Sequence, residues 1–311
     1  METKLTKSPR IAAQILLNGG VVAFPTETVY GLGANAFDET HVQKIFLAKG
    51  RPPDNPLIAH VASFHELELL VRKIPPVAER LIEAFFPGPL TLVLPRSKYV
   101  PDIVTAGLDT IGVRMPSLKL AQAFLKECGV PIAAPSANLS GKPSATSWKA
   151  AWDDFNGKIE AILKGDDSEL GLESTVVDCS VKRPTVLRSG AISLEELRRI
   201  APETRLEISR RASIPKSPGM KYRHYAPEAE VKIIDDFSNL DYGGAYIGLR
   251  EPPQAFAHQR ICKGLGDYAR ALYAFFRECD ARGLKTIHCQ SVPECGIGLA
   301  LMDRLRKAAK K

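Results

Sequence analysis

Residues 21–33 constrain this chain most. Val21-Val22-Ala23-Phe24 is an apolar run too short for a helix, bounded by Gly19-Gly20 and Pro25, and it predicts a buried strand. Thr26, Glu27, Thr28 and Tyr30 follow at once, so polar side chains crowd the strand's carboxyl end. In open α/β sheets ligands bind at that edge. The expectation is an α/β chain organised around one polar strand end.

The periodicity of the rest agrees. Helical spacing covers residues 8–18, then runs from Asp38-Glu39-Thr40 to Lys49-Gly50. Three prolines force an irregular loop over Arg51-Pro52-Pro53-Asp54-Asn55-Pro56. Strands are expected at 57–61, carrying His60, at 90–94, at 111–115, carrying Arg114, and at 130–134. Residues 76–86 and 118–128 read as helices, and 104–110 as a polar loop. A helix near 146–153 and strands near 159–163, 174–178 and 184–188 follow, then a capped helix over 193–200 with Ser193 three residues before Glu196. Residues 203–229 lack a clear period. From Glu230 an α/β pattern restarts, with strands near 230–234, 244–249 and 285–290 and helices near 266–282 and 294–309. The expected division is a catalytic domain over 1–207, a linker or lid loop over 208–229, and a small α/β domain over 230–311.

A length of 311 residues suits about two domains. With 45% hydrophobic and 25% charged residues the composition is that of a soluble globular protein. No apolar run approaches the ~20 residues of a membrane span, and Met1-Glu2-Thr3-Lys4 opens no secretory signal. Six cysteines without a CxxC pair point to reduced thiols, hence a cytoplasmic location and no membrane partner. The net charge of +7 favours a polyanionic ligand such as a nucleotide or RNA, or is simply solvated surface lysine.

Gly31-Leu32-Gly33-Ala34-Asn35-Ala36 fits a dinucleotide fingerprint in letters only. Six loop residues separate it from its strand, so the glycines are expected to turn the chain. Gly264-Leu265-Gly266 is read the same way. A Walker loop is absent, so a bound nucleotide would need side-chain cations. Lys49-Gly50-Arg51 offers a point charge and a guanidinium fork; alternatively these cations merely face a helix C-terminus. Ser136 and Asn138, with Ser140 and Ser144, make a second polar loop that either bonds a ligand or caps a turn. Glu173-Ser174-Thr175 and Arg188-Ser189-Gly190 are polar groups at strand ends. Arg114, inside an apolar strand, needs an anionic partner, either a ligand carboxylate or an internal Asp or Glu. His60 reads as a core histidine, and the basic tail from Arg304 to Lys311 as a solvated helix end. His288, Cys289 and Cys295 lack zinc spacing, so no protein-only metal site is expected.

Each motif is weak alone; their order is not. PTETVYGLGANA at 25–36, KGRPPDNPL at 49–57, FPGPLTLVL at 86–94, TAGLDTIGVRMP at 105–116, PIAAPSANLSGKPS at 131–144, ESTVVD at 173–178, LRSGAI at 187–192 and SPGMKYRHYAP at 217–227 closely resemble the threonylcarbamoyl-AMP synthases, the YrdC-domain enzymes, in their long two-domain form. The resemblance implies a twisted mixed-sheet catalytic domain with a concave face, plus a small Rossmann-like α/β domain. It implies a nucleotidyltransferase: L-threonine, bicarbonate and ATP give L-threonylcarbamoyl-AMP, pyrophosphate and water, the first step of threonylcarbamoyl-adenosine modification of tRNA. Its implied partners are those substrates, with Mg²⁺ accompanying ATP, and a downstream threonylcarbamoyl transferase complex; tRNA contact is expected to be indirect. Lys49 and Arg51 are the implied catalytic residues. The implied ATP set is Lys49, Arg51, Asn55, Thr105, Ser136, Asn138, Ser144, Arg188 and Tyr225, the last acting as a lid. The implied threonine set is Thr26, His60, Arg114, Ala134 and Ser174, with Thr26 at the pocket floor. The rival reading is a non-catalytic double-stranded-RNA or tRNA-binding module.

Overall fold

A computed structural model describes residues 2–207, 225–238 and 240–310. The chain opens with β1 (Lys4–Thr6), α1 (Pro9–Leu17), β2 (Val22–Phe24) and β3 (Gly31–Asn35). Ser8 caps α1 by accepting from the Ile11 amide, and Pro9 fills its first turn, where no amide hydrogen is needed. β2 and β3 form an antiparallel hairpin, so residues 25–30 are its connection. This corrects the reading of the glycine motif as a turn. Gly31 and Gly33 lie inside a strand, and they are glycine there because a Cβ on either would meet the Phe24 ring at 2.9 Å.

Next come α2 (Glu39–Lys49), β4 (Ile58–His60), α3 (Phe64–Leu70), α4 (Pro76–Phe85), β5 (Leu90–Pro95), α5 (Asp102–Thr105) and β6 (Thr110–Arg114). Gly50 ends α2 at φ 60°, the left-handed conformation glycine adopts without a Cβ penalty. Lys49 therefore sits on the last helical turn and Arg51 on the exit. Thr105 ends the one-turn helix α5 instead of lying in the loop expected over 104–110. The first domain is completed by α6 (Lys119–Cys128), β7 (Ile132–Ala134), α7 (Trp148–Phe155), β8 (Ala161–Leu163), β9 (Thr175–Asp178), β10 (Thr185–Arg188), α8 (Leu194–Ile200) and β11 (Arg205–Leu206). Ser193 and Glu196 form the expected capping box on α8.

These strands make one mixed sheet in the order β1-β8-β2-β3-β7-β4-β6-β5-β9-β10-β11. Its apolar faces are covered by helices, with Leu32, Ala59, Leu92 and Val113 fully buried in the main core. From Glu230 the chain builds β12 (Glu230–Ile234), β13 (Ala245–Gly248), β14 (His258–Ile261), α9 (Leu265–Ala281), β15 (Thr286–Gln290) and α10 (Ile297–Ala309). The four strands form an all-parallel sheet, order β12-β15-β13-β14. Gly264 precedes α9 directly, so that glycine pair starts a helix. The second core also takes in Val29 and Leu172 of the first domain. All six cysteines are free thiols. Among the described residues, no helix is long and apolar enough to cross a membrane. Most of the expected lid loop, 208–224, lies outside the described residues.

Candidate active site

The β2–β3 connection, the strand ends of β4, β6 and β7 and the loops before β9 and after β10 surround one cleft. His60, Arg114, Ala134 and Ser174 line it, as do Arg51, Ser136, Asn138, Arg188 and Tyr225. The sequence-derived amino-acid and nucleotide sets thus converge on a single cavity. Lys49, Asn55, Thr105, Ser144 and Thr26 belong to the same sets but do not line it.

Arg114 is almost fully buried, and its partner is internal. Nη2 lies 2.7 Å from Oε1 of Glu27, Nη1 donates to the Thr28 hydroxyl at 2.7 Å, and Nε donates to the Gly88 carbonyl at 3.2 Å. Burial opposes ionisation of Glu27, but the Arg114 charge prevails and holds its carboxyl below the usual range. Beside them His60 packs edge-on against Phe24, with ring centroids 5.7 Å apart, and Nδ1 is 3.2 Å from the Ile58 carbonyl. Burial, aided by the Arg114 charge, pushes His60 down to about 3, so its ring is neutral at pH 7. His60 is therefore both a core residue and a cleft wall.

Thr26 is displaced from its expected place at the pocket floor. Its hydroxyl donates to the Val29 carbonyl at 2.7 Å and meets the Thr28 hydroxyl at 2.8 Å, closing the hairpin connection from inside. Thr28 takes the position on the cleft. Alternation could not make this legible: the two threonines flank one residue and share its parity, so only their contacts decide which is structural.

Lys49 is also turned inward. Its ammonium donates to the Ser136 and Asn138 carbonyls, so it clamps the second polar loop from behind. Burial and then the nearby Arg51 charge lower its pKa. In that loop Ser136 Oγ donates to Asn138 Oδ1, and Asn138 Nδ2 donates to the carbonyls of Leu139 and Lys142. Arg51 Nη2 donates to the Asn55 and Pro56 carbonyls. Asn55 is fully buried, and neither side-chain amide atom has a hydrogen-bond partner among the described residues. Thr105 accepts from Arg96 Nη1 at 3.2 Å and does not line the cleft. Lys142, half-exposed at the cleft, is a cation that sequence reasoning missed.

The back of the cleft is a buried polar cluster. Arg188 donates through Nε to the Ser174 carbonyl and through Nη2 to the Ser174 hydroxyl. Ser174 Oγ lies 2.7 Å from Thr91 Oγ1. Ser144 donates to Glu173 at 2.6 Å. Arg304 of α10 is fully buried and donates to the same carboxylate at 2.9 Å, which overturns the reading of the whole tail as a solvated helix end. Its signal was present: residue 304 falls on the helical stripe of Leu301, Leu305 and Ala308.

Three guanidinium groups around one strand-end cleft define an α/β protein with a cationic cleft. Comparison with known proteins gives the particular family. The family model described as "Telomere recombination" (Sua5, YciO and YrdC) matches residues 14–190, and that of the "Threonylcarbamoyl-AMP synthase, C-terminal domain" matches 192–310. The threonylcarbamoyl-AMP synthase of Pyrococcus abyssi is 46% identical, covering 96% of this chain and 93% of its own; that of Bacillus subtilis is 42% identical, covering 98% and 94%. The structure of P. abyssi Sua5 complexed with L-threonine superposes with a TM-score of 0.92 at 43% identity, covering 99% of this chain and 97% of that one. E. coli YciO matches at a TM-score of 0.53 and 26% identity, over 61% of this chain and 94% of its own. The chain belongs to the threonylcarbamoyl-AMP synthases, a nucleotidyltransferase-type family of tRNA-modification enzymes. These relatives do not favour the non-catalytic RNA-binding reading.

Proposed function

We propose that the chain condenses L-threonine, bicarbonate and ATP within this single cleft. The observation that carries the reading is that His60, Arg114 and Ser174 share one cavity with Arg51, Ser136 and Asn138. An amino acid and a triphosphate would then lie against each other, and holding reactants in contact is the larger part of catalysis for such a displacement.

The threonine amine attacks bicarbonate carbon; water leaves, giving an N-carboxy-threonine. A carboxylate oxygen of that group attacks the α-phosphorus of ATP. A P–O bond forms there, the bridging P–O bond to the β-phosphate breaks, and pyrophosphate leaves with the electron pair. Arg114 takes the threonine carboxylate on a guanidinium already oriented by Glu27 and Gly88. Neutral His60 offers hydrogen bonding without a competing charge. Arg51, with Ser136 and Asn138, bears on the phosphates and the charge that builds on the departing pyrophosphate. Lys49 keeps that loop in place. Arg188, Ser144 and Tyr225 complete the nucleotide side, with Asn55 and Thr105 supporting it.

Among the described residues lining the cleft, Glu173 is the one carboxylate, and it is engaged by Arg304. This donor set fits Mg²⁺ arriving on the ATP phosphates with its own water, where it would neutralise phosphate charge. A cytoplasmic setting and hand-over of the labile product to a separate transferase fit the same reading. The test supplies ¹³C-bicarbonate and deuterated threonine with ATP and analyses the product by mass spectrometry. An adenylate carrying both labels is expected; AMP alone, or an adenylate lacking the ¹³C, would refute the proposal. A pure RNA-binding module would instead bind RNA with steep salt dependence and form no adenylate.

A further inference from the structure

The second domain reaches into the back wall of the cleft. Tyr273 on α9 and Arg304 on α10 are both fully buried, and both end on Glu173 of the first domain. The Tyr273 hydroxyl lies 3.2 Å and 3.1 Å from the two carboxylate oxygens. Arg304 Nε donates at 2.9 Å, and its Nη2 crosses to the Ser189 carbonyl at 3.1 Å. Glu173 in turn receives the Ser144 hydroxyl. A second strut runs alongside, one helical turn on from Tyr273. Arg277 donates to the Pro143 carbonyl at 2.6 Å and to Asp154 at 2.7 Å, and Asp154 accepts the Leu139 amide. The polar loop from Leu139 to Ser144 is therefore braced by α9 at two points.

Tyr225 rests on the same residues. Its ring stacks on Tyr273 with centroids 5.5 Å apart, and the Arg304 guanidinium lies over it at 5.3 Å. The Ala226 amide donates to the Gly141 carbonyl, tying this stretch to the braced loop. Tyr225 adopts φ 67°, a left-handed conformation that an aromatic residue holds only where its surroundings impose it. Burial of an arginine–glutamate pair is weak support for stability, because desolvation offsets much of the attraction. What the pair supplies here is position.

We propose that Tyr273 and Arg304 are positioning residues for the nucleotide side of the cleft: they hold Glu173, which orients Ser144, and they form the platform under the Tyr225 ring. The proposal rests on the assignment of Ser144 and Tyr225 to ATP given above. It assigns the second domain a positioning part in nucleotide binding, through helix side chains packed behind the site. None of the three contacts on Glu173 touches Arg114 or His60; Ser174, the next residue, is the member of the threonine set nearest to them in sequence, so the ATP side is expected to feel their loss more than the threonine side.

The test is Tyr273→Phe, which keeps the stacked ring and removes only the hydroxyl, together with Arg304→Lys, which keeps the charge and loses the fork. Steady-state KM values for ATP and threonine, direct ATP binding and thermal midpoints are measured for each full-length chain. Loss of a hydrogen bond to a charged group predicts about a tenfold rise in the ATP KM for Tyr273→Phe. The threonine KM should stay within about twofold, whatever the fall in thermal midpoint. Arg304→Lys should show the same split, larger. If Arg304→Lys does not fold, Tyr273→Phe decides. Unaltered ATP KM in Tyr273→Phe, or equal rises for both substrates, would overturn the positioning role. Failure of the unaltered chain to bind ATP would overturn the nucleotide-site reading and this role together; binding that Tyr273→Phe leaves unchanged would overturn this role alone.

Discussion

Arg114 and Glu27 face each other at 2.7 Å, both buried, and the threonine that shares the guanidinium, Thr28, lies 86 positions before Arg114 in the chain. An internal carboxylate therefore already occupies one side of the group assigned to the threonine carboxylate. The pair orients the fork, leaving threonine to complete it. Glu27→Gln should destabilise the chain by about 3 kcal/mol, since it leaves a buried cation uncompensated. It should also raise the threonine KM while sparing the ATP KM. Urea unfolding and steady-state kinetics check this; a threonine KM that stays constant would detach Glu27 from the site.

Arg51 and Lys49 are proposed to bear on the phosphates in different ways. Arg51 lines the cleft, whereas Lys49 holds the Ser136 and Asn138 carbonyls behind it. Arg51→Ala should cost roughly 10²-fold in kcat, by analogy with removal of one charge-stabilising donor. Lys49→Ala should lose roughly as much in kcat/KM for ATP, because the loop it clamps is released. Pyrophosphate release at varied ATP measures both. Near-normal turnover in both variants would remove the phosphate role.

His60 makes stability depend on pH. Its pKa falls from 6.5 unfolded to about 3 folded, so the native state resists protonation. That contribution is intact above pH 6.5 and is lost as pH falls from there towards about 3. Between pH 7 and pH 5 it should amount to about 2 kcal/mol. His60→Gln, which cannot titrate, should lose that much less stability over the same interval. Parallel denaturant curves for the two chains at both pH values would contradict the assignment.

Much of this was legible in the sequence because period and punctuation agree with the fold. Val22–Phe24 is short and apolar between breakers, and it is a strand; Ser193 and Glu196 announce a capped helix, and they form one. What escaped has physical causes. Lys4–Thr6 and His258–Ile261 are short and mostly polar, so they show no alternation and are held by pairing to a neighbour. Gly31 and Gly33 look like turn residues, but their need is room for Phe24, a partner set by the hairpin register. Phe64–Leu70 is a two-turn helix whose apolar face is only Leu67 and Leu70, too short a pattern to stand out. Within the site, the residues lining the cleft came from motif order, whereas their direction did not. Thr26 and Lys49 belong to the right loops yet turn inward, because a buried hydroxyl or ammonium takes the nearest carbonyl. Arg304 was hidden by the charge of its neighbours Arg306 and Lys307, although its helical phase matched the buried stripe.

Threonine, bicarbonate and ATP are proposed to meet in one cleft. Pyrophosphate release from ATP, measured with the complete mixture and with threonine or bicarbonate omitted in turn, tests it most directly. Release that requires both is the expected result. Release that proceeds equally without threonine would contradict the account.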